Sequence, residues 1–263
     1  MYEEFAGIYD QLMAEVDYDR WAARLCALMK EAGATPGARC VECACGTGSL
    51  TWRLARAGYR MTGVDLSGDM LRRAMEKCRD QGMTIPFVRQ DMRALKVPRR
   101  VSAVLCTCDG VNYLTDEASL NRFFAAAWAA LCPGGVLIFD VSTPHKLKNV
   151  LGNHTLTRAE KDFAYIWDNR WQEATRTVEM SLTLFARRPG EEKFTRVEEG
   201  QRQRAWERSE LRSALQAAGF AQVRFFGRLR NTAPRTGDDR WMAVAVRPAE
   251  VSSGGMRQGD ENT

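Results

Sequence analysis

The sequence predicts an α/β protein built on a doubly wound parallel sheet, with helices on both faces and a small antiparallel β insertion after the fifth strand. Three observations predict this class. Wholly apolar runs alternate with amphipathic helical segments between residues 38 and 142, as parallel strands covered by helices do. The first apolar run ends in the glycine turn GTG at residues 46–48. Between residues 144 and 204 polar and apolar residues alternate instead, which indicates half-exposed antiparallel strands.

The first part of the chain alternates between helix and strand. Residues 2–32 are predicted to be helical, and Gly33 and Pro36 end that segment. Strands are then predicted over residues 38–44, 60–66, 85–92, 101–109 and 136–142, with helices over 49–58, 67–82 and 117–135. Ser67 is the expected N-cap of the second of these helices, because its hydroxyl can accept from a free backbone N–H.

The second part begins with a different periodicity and then returns to the first. Alternating segments predict antiparallel strands over residues 162–172, 175–188 and 193–206, with a hairpin turn at RRPGEE. A helix over 209–220, capped by Ser209 and stopped by Gly219, precedes two last strands over 221–229 and 240–248. We therefore assign residues 1–144 and 206–248 to one core, 145–205 to an insert that covers the site, and 249–263 to a disordered polar tail.

Composition narrows the class of protein. The 263 residues have ordinary hydrophobic (45%) and charged (27%) fractions, and the formal charge of +5 is spread along the chain, which is typical of a mixed charged surface. No apolar run approaches the ~20 residues of a membrane span, and the acidic N-terminus does not resemble a secretion signal. Several of the eight cysteines lie in apolar runs, as buried reduced thiols do. We expect a soluble cytoplasmic protein with no membrane partner.

The glycine turn predicts a ligand site, because glycine adopts positive φ and lets the backbone approach a ligand closely. In a doubly wound sheet such a site lies at the carboxyl ends of the strands. The third glycine of a dinucleotide fingerprint is missing, since Ser49, Leu50 and Thr51 follow the turn, and there is no P-loop sequence. A pyrophosphate is therefore not the expected ligand, which argues against an NAD-dependent oxidoreductase.

Two acidic residues narrow the choice of ligand further. Asp65 ends the second predicted strand, where a carboxylate can accept from both hydroxyls of a ribose. Asp91 closes the third predicted strand, where a side chain can reach the amino edge of an adenine. A ribose contact and an adenine contact without a phosphate site fit S-adenosylmethionine.

The chain also resembles the Rossmann-like (class I) S-adenosylmethionine-dependent methyltransferases of the small-molecule type, over residues 2–144 and 206–247. Their acidic-x-Gly-x-Gly-x-Gly motif is ECACGTG here, with Ala44 in place of the first glycine. GVDLSGDML, QDM, CDGVNYL and LCPGGVLIFD match further family segments, and YDQLMAEVDYDRWA resembles N-terminal helices that close over the methionine portion. The resemblance implies cofactor contacts from Tyr9, Tyr18, Trp21, Glu42, Ala44, Gly46, Gly48, Asp65, Leu66, Met70, Asp91, Met92, Cys108 and Asp109.

The cysteine spacing predicts no metal site. Cys40, Cys43 and Cys45 lie within one predicted strand and its turn, and Cys106 and Cys108 lie in another. Structural zinc sites instead use paired knuckles, each with its own short Cys-x-x-Cys spacing. We expect these cysteines to act as small, buried hydrophobic residues.

The expected reaction is methyl transfer to a small-molecule acceptor. The sulfonium is already an activated electrophile, so the protein mainly aligns the reactants. If the acceptor must lose a proton, Asp109, Tyr113 and His145 are the candidate bases. An RNA or tRNA methyltransferase and a non-catalytic S-adenosylmethionine-binding protein are the alternatives, although no basic arm or added RNA-binding domain is visible. The methylated atom and the oligomeric state stay open.

The insert is expected to form a small sheet over the site. Its predicted strands carry aromatic residues, namely Phe163, Tyr165, Trp167, Trp171 and Phe185. An aromatic inner face would select a small, partly apolar or aromatic acceptor. Alternatively, these side chains only pack the insert onto the core, as aromatic stripes commonly do.

Overall fold

The computed structural model describes residues 9–10, 12–187 and 192–250, which form two sheets and several helices. The helices are α1 (Tyr18–Glu31), α2 (Ser49–Arg56), α3 (Gly68–Asp80), α4 (Glu117–Ala130) and α5 (Arg208–Ala217). The strands are β1 (Arg39–Cys43), β2 (Arg60–Asp65), β3 (Phe87–Arg89), β4 (Val101–Cys106), β5 (Leu131–Ser142), β6 (Thr155–Ala159), β7 (Phe163–Gln172), β8 (Thr177–Ala186), β9 (Thr195–Arg204), β10 (Gln222–Gly227) and β11 (Arg240–Val246). Within the described ranges, no helix combines the length and apolarity needed to cross a bilayer.

The larger sheet has seven strands in the order β10-β11-β5-β4-β1-β2-β3. The pairs from β5 to β3 are parallel, whereas β11 is antiparallel to both β5 and β10. This confirms the predicted fold class. Strand order reverses between β1 and β4, so a crevice opens there at the carboxyl ends of the strands.

Two apolar layers cover the sheet, one on each face. Along β4, Val104 and Cys106 pack with α4 and α5, while Ala103 and Leu105 pack with α1 and α2. Successive side chains of a strand point to opposite faces, so a strand covered on both faces must be apolar throughout. This explains why the strand runs of the sequence lack alternation.

Some element boundaries differ from the prediction. β5 begins at Leu131 rather than at residue 136, because Leu131 already pairs with Val101 before a register shift. β3 shortens to Phe87–Arg89. α5 begins at Arg208, so Ser209 is not its cap; Glu210 instead accepts from the backbone N–H of Glu207 at 2.8 Å, in a capping box.

The smaller sheet is wholly antiparallel, in the order β6-β7-β8-β9. Three of its strands match the predicted segments, and β6 is an additional one. β6 pairs with β7 between Thr155↔Asp168 and Ala159↔Ala164, and its five residues are too few to give a clear periodicity. The polar tail predicted over residues 249–263 lies outside the described residues from residue 251 onward.

A buried ionic cluster joins the two sheets. Arg240, at the start of β11, places Nη1 2.5 Å from Asp109 Oδ1 and also pairs with the fully buried Asp140 of β5. The backbone N–H of Asp109 donates to Asp140 Oδ2 at 3.1 Å. Gln203 of β9 donates from Nε2 to Asp109 Oδ2 at 3.0 Å. Burial raises the pKa of Asp140. Burial also acts to raise the pKa of Asp109, but Arg240, Lys146 and Gln203 together hold it below its usual value.

We expect Arg240→Met to lower the free energy of unfolding by about 3–5 kcal/mol, because it removes the guanidinium that pairs with both the fully buried Asp140 and the partly buried Asp109. Urea unfolding at neutral pH measures this loss. Arg228→Met is the matched control, since Arg228 is exposed and such substitutions stay within about 0.5 kcal/mol. Equal stability of the two variants would contradict a stabilising role for the cluster.

Candidate functional site

A cavity of about 430 Å³ opens at the carboxyl ends of β1, β2 and β4, beside the point where strand order reverses. Most of the predicted site residues meet there. Those that line it are Tyr9, Tyr18, Glu42, Ala44, Gly46, Asp65, Leu66, Met70, Met92, Cys108 and Tyr113. The prediction of a ligand site at this edge of the sheet therefore agrees with the structure.

The glycine turn forms one wall of the cavity. Ala44, Gly46 and Gly48 have φ angles of 51°, 53° and 69°, so the chain turns sharply between β1 and α2. A Cβ at Gly46 would meet no protein atom within 4 Å, because open space lies in front of it. Ala44 adopts the same left-handed conformation without a glycine, at the position where the family motif has one.

Asp65 organises this wall. Its Oδ2 accepts from the backbone N–H of Gly46 at 2.8 Å, and its Oδ1 accepts from that of Ser67 at 2.9 Å. One carboxylate thus ties the turn after β1 to the start of α3, where Ser67 caps the helix as predicted. Each oxygen retains a lone pair with which it can accept from a ligand hydroxyl.

Glu42 is a buried carboxyl on the cavity wall. It is 2% exposed and accepts from the hydroxyls of Thr51 and Thr107, the latter at 2.9 Å. Burial raises the pKa of Glu42 to about 7, against the effect of these two donors. A cationic ligand group beside Glu42 would favour its ionised form.

A polar network holds the N-terminal segment against the turn. Lys77 of α3 donates from Nζ to Asp10 at 2.7 Å, to Thr47 at 3.0 Å and to Ser49 at 2.8 Å. Asp10 also accepts from the Thr47 hydroxyl at 2.6 Å. The adjacent Tyr9 is thereby kept on the cavity wall. Sequence reasoning missed this network, because a lysine within an amphipathic helix gives no local sign of a distant partner.

Two thiols, Cys45 and Cys108, also lie on the wall. Burial raises the pKa of both, so both are protonated at neutral pH. All eight cysteines are free thiols. In the described part of the chain, no cluster of three or more His, Cys, Asp or Glu side chains could hold a metal ion.

Trp21 and Gly48, both predicted to contact the cofactor, do not line the cavity and have packing roles in this structure. Trp21 is 2% exposed and packs with Leu25 and Leu28 on the buried stripe of α1. A Cβ at Gly48 would approach Ala74 Cβ to 3.0 Å. This glycine therefore permits close packing of α2 against α3, which a larger residue would prevent.

Asp91 also lies apart from the cavity. Its carboxylate accepts from the guanidinium of Arg93, with Oδ2 2.6 Å from Nη2, and this pairing lowers its pKa. The flanking residues Gln90 and Met92 line the cavity instead. The adenine contact predicted for Asp91 is not supported by this lining and stays a prediction.

The three candidate bases lie in different places in the structure, and one of them lines the cavity. Asp109 is held in the ionic cluster and does not line the cavity. His145 is exposed and its Nδ1 lies 3.2 Å from the Asn149 amide, outside the site. Tyr113 does line the cavity, and its hydroxyl donates to Gln201 Oε1 at 2.8 Å.

The insert contributes a polar edge to the cavity rather than an aromatic one. The contributing residues are Glu199, Gly200, Gln201 and Arg202 of β9. Trp167 and Trp171 pack on Leu147 and Leu151. Phe163 and Tyr165 belong to a cluster with Leu184 that also includes Tyr9 and Met70 of the cavity wall. Phe185 pairs with Arg196 on the opposite face of the sheet. None of these aromatic side chains lines the cavity, and their role in selecting the acceptor stays a prediction.

Comparison with known proteins agrees with this geometry. A family model described as "Methyltransferase domain" matches residues 40–135. A methyltransferase-family protein of Geobacillus sp. (strain WCH70) is 34% identical over 93% of this chain and 98% of its own length. The methyltransferase-family protein YqeM of Bacillus subtilis (strain 168) is 31% identical over 96% of this chain and all of its own length.

Among solved structures, an S-adenosylmethionine-dependent methyltransferase from Clostridium acetobutylicum ATCC 824 superposes with a TM-score of 0.84. It is 28% identical, and the alignment covers 94% of this chain and 99% of that one. The chain belongs to the class I S-adenosylmethionine-dependent methyltransferases. S-adenosylmethionine is therefore the methyltransferase's cofactor, which confirms the ligand predicted from the turn and excludes a purely dinucleotide-binding protein.

The cavity suits this cofactor. Leu66 is 58% exposed on its wall, and such an exposed apolar side chain can be covered by an adenine ring. Asp65 offers acceptors for ribose hydroxyls, and Glu42 offers negative charge to a cationic group. When bound, the cofactor supplies an activated methyl group, so the methyltransferase has to bind, orient and desolvate the reactants.

We expect Asp65→Ala to weaken S-adenosylmethionine binding by about 1.5–3 kcal/mol, the cost of losing hydrogen bonds to a charged group. Isothermal titration calorimetry measures this affinity. Asp80→Ala is the control, because Asp80 is an exposed carboxylate at the end of α3. An unchanged affinity in folded Asp65→Ala would exclude the ribose role.

We expect the affinity for S-adenosylmethionine to rise with pH up to about 7 and then level off, because the cationic cofactor favours ionised Glu42. For the stability of the free protein, the pH dependence has the opposite sign. The raised pKa of Glu42 stabilises the fold below its ordinary value of 4.5, and this contribution is lost as the pH rises through about 7. Calorimetric titrations of the wild-type protein across this pH range are compared with those of Glu42→Gln. In that variant residue 42 no longer titrates, so the pH dependence that remains is that of the cofactor itself. The same pH slope in both proteins would contradict the assignment.

Proposed function

We propose that this methyltransferase transfers the methyl group to a small polar molecule, which binds between the carboxyl edge of the large sheet and β9. The observation that carries the proposal is the cover formed by β9. Residues 199–202 of that strand line the cavity together with the glycine turn. A space bounded by both sheets favours an acceptor that can be enclosed.

Three hydrogen bonds hold β9 onto the core. Gln201 accepts from the Tyr113 hydroxyl at 2.8 Å, and Gln203 donates to Asp109 at 3.0 Å. The Asn112 amide donates to the backbone carbonyl of Arg204 at 2.9 Å. Because two of these bonds are part-buried, they favour a cover that stays in place. An RNA acceptor would have to pass a flipped base beneath this strand.

The size of the cavity also supports a small acceptor. Its volume of about 430 Å³ lies in the lower half of the ~300–1,000 Å³ range of small-molecule sites. When bound, the cofactor would occupy part of that space, where Asp65 would accept from the ribose hydroxyls and Leu66, Met70 and Met92 would line the adenine side. The acceptor then occupies the remainder, between Tyr113 and the polar edge of β9.

Partial relatives point to the same substrate class. A glycine/sarcosine N-methyltransferase of Halorhodospira halochloris is 34% identical over 43% of this chain. A dTDP-3-amino-3,6-dideoxy-alpha-D-glucopyranose N,N-dimethyltransferase of Streptomyces fradiae is 32% identical over 52% of this chain. Both act on small polar molecules, and both matches cover only about half of this chain.

In the proposed mechanism the protein aligns an in-line displacement, which can lower the barrier by ~7–11 kcal/mol. A wild-type assay tests the substrate class directly. Purified protein and S-adenosylmethionine are incubated with either the small-molecule ultrafiltrate or the RNA fraction of one cell extract. We expect S-adenosylhomocysteine to form with the ultrafiltrate, whereas release with RNA alone would contradict the proposal.

We expect replacement of residues 155–204 by a Gly/Ser linker to abolish methyl transfer, because the acceptor loses its cover. Cofactor affinity should stay within about tenfold, or ~1.4 kcal/mol, since the turn and Asp65 remain. The control replaces only the RRPGEE turn with a Gly/Ser turn, which retains β9. Near wild-type transfer by a folded deletion variant would show that the insert does not form the acceptor site.

A further inference from the structure

Glu199 is distinctive among the charged and amide side chains along the middle of β9. The others have partners: Glu198 pairs with Arg196, Gln201 with Tyr113, Arg202 with Glu179, and Gln203 with Asp109. Within the described residues, the Glu199 carboxylate has neither a hydrogen-bond donor nor an ion-pair partner. It nevertheless lines the cofactor cavity.

The neighbours of Glu199 provide no compensating charge. Glu199 pairs across the strand with Leu182 of β8, and the ring of Tyr113 lies nearby. The adjacent cation, Arg202, bonds to Glu179. Burial alone raises the pKa of Glu199. A half-buried carboxylate without a partner is destabilising, so its position is best explained by a cation that arrives with a ligand.

Three ligand cations are conceivable: the sulfonium of the cofactor, the α-ammonium of its methionine portion, and a charged acceptor. Glu42 already offers a carboxylate on the wall formed by the glycine turn. Glu199 comes from the cover strand, where the proposed function places the acceptor. A carboxylate there would repel an anionic acceptor and attract an ammonium group.

We infer that Glu199 binds the amino group of the acceptor and removes its proton, so that the enzyme is an N-methyltransferase of small primary or secondary amines. This inference rests on the proposed function and specifies its substrate class. In the first step the ammonium transfers one proton to the Glu199 carboxylate, which leaves a neutral amine with a free lone pair. That lone pair then forms the N–CH₃ bond while the C–S bond breaks and its electron pair returns to sulfur. The products are a methylammonium and neutral S-adenosylhomocysteine.

The chemistry of the base favours an amine over a hydroxyl. An alkylammonium has a pKa of ~10.4, near that of lysine, and an apolar site lowers it while raising that of the carboxyl. An aliphatic hydroxyl is closer to water, at ~15.7, which is far beyond a carboxylate base. Tyr113 is no alternative base, because burial raises the pKa of its phenol and keeps it protonated.

The first experiment identifies the methylated atom. Wild-type protein is incubated with S-adenosylmethionine labelled in its methyl carbon and three amines: ethanolamine, glycine and glucosamine. Their hydroxyl counterparts (ethylene glycol, glycolate and glucose) and the small-molecule ultrafiltrate of a cell extract are assayed in parallel. The NMR shift of the labelled carbon in the product distinguishes N-methyl from O-, S- and C-methyl groups, and we expect N-methyl products only.

The second experiment tests Glu199 itself on the best amine found. We expect Glu199→Gln to lower kcat/KM for the amine by ~100-fold or more, as for loss of a general base, with cofactor affinity unchanged by calorimetry. Glu199→Asp should recover part of the rate, since it restores a carboxylate. Glu198→Gln is the matched control, because Glu198 is exposed on the opposite face of the same strand, and it should retain wild-type kcat/KM.

The outcomes separate this inference from the proposed function. Labelled O-, S- or C-methyl small molecules without an N-methyl product would overturn the inference and leave the small-molecule function standing. A folded Glu199→Gln variant with wild-type kcat/KM would overturn the role of Glu199. Label found in RNA alone, or no product at all, would overturn both.

Discussion

The pairing of Arg240 with Asp109 and Asp140 is the constraint on which the arrangement of the site depends. These three residues come from the start of β11, the turn after β4 and the interior of β5. The antiparallel entry of β11 brings a cation to the edge of the sheet where the parallel strands end in carboxylates. Because Asp109 also accepts from Gln203, the same ionic cluster fixes the position of β9 over the cavity.

This coupling divides the cavity into two walls with separate supports. The wall at the glycine turn depends on bonds from Asp65 to Gly46 and Ser67, which span at most 19 positions of the chain. The wall formed by β9 depends on bonds that join residues about ninety positions apart, such as Tyr113 with Gln201. Substitutions on β9 can therefore alter that wall without disturbing the glycine turn. A fold of this kind can keep its cofactor while its substrate changes.

The sequence alone predicted the sheet, its cofactor turn and Asp65, because those features arise from local periodicity and from one short motif. The sequence could not decide whether Trp21 packs in the core or contacts a ligand, because a residue in either role would lie on the same stripe of the helix. The sequence located Asp109 and Asp91 after their predicted strands. Their carboxylates, however, pair with Arg240 and Arg93, which the sequence did not indicate. Glu199 gave no signal at all, because its relation to the cavity exists only after two sheets meet.

The protonated thiols of Cys45 and Cys108 have a chemical consequence for an enzyme whose cofactor is an alkylating agent. A thiolate is a strong nucleophile, and a thiol is a weak one. Both residues line the cavity proposed to hold the cofactor, and burial raises the pKa of both thiols, which keeps their protons in place. The protein thus resists methylating itself during the interval between cofactor binding and arrival of the acceptor. A cation that lowered the pKa of either thiol would favour the thiolate, which the bound cofactor could then methylate.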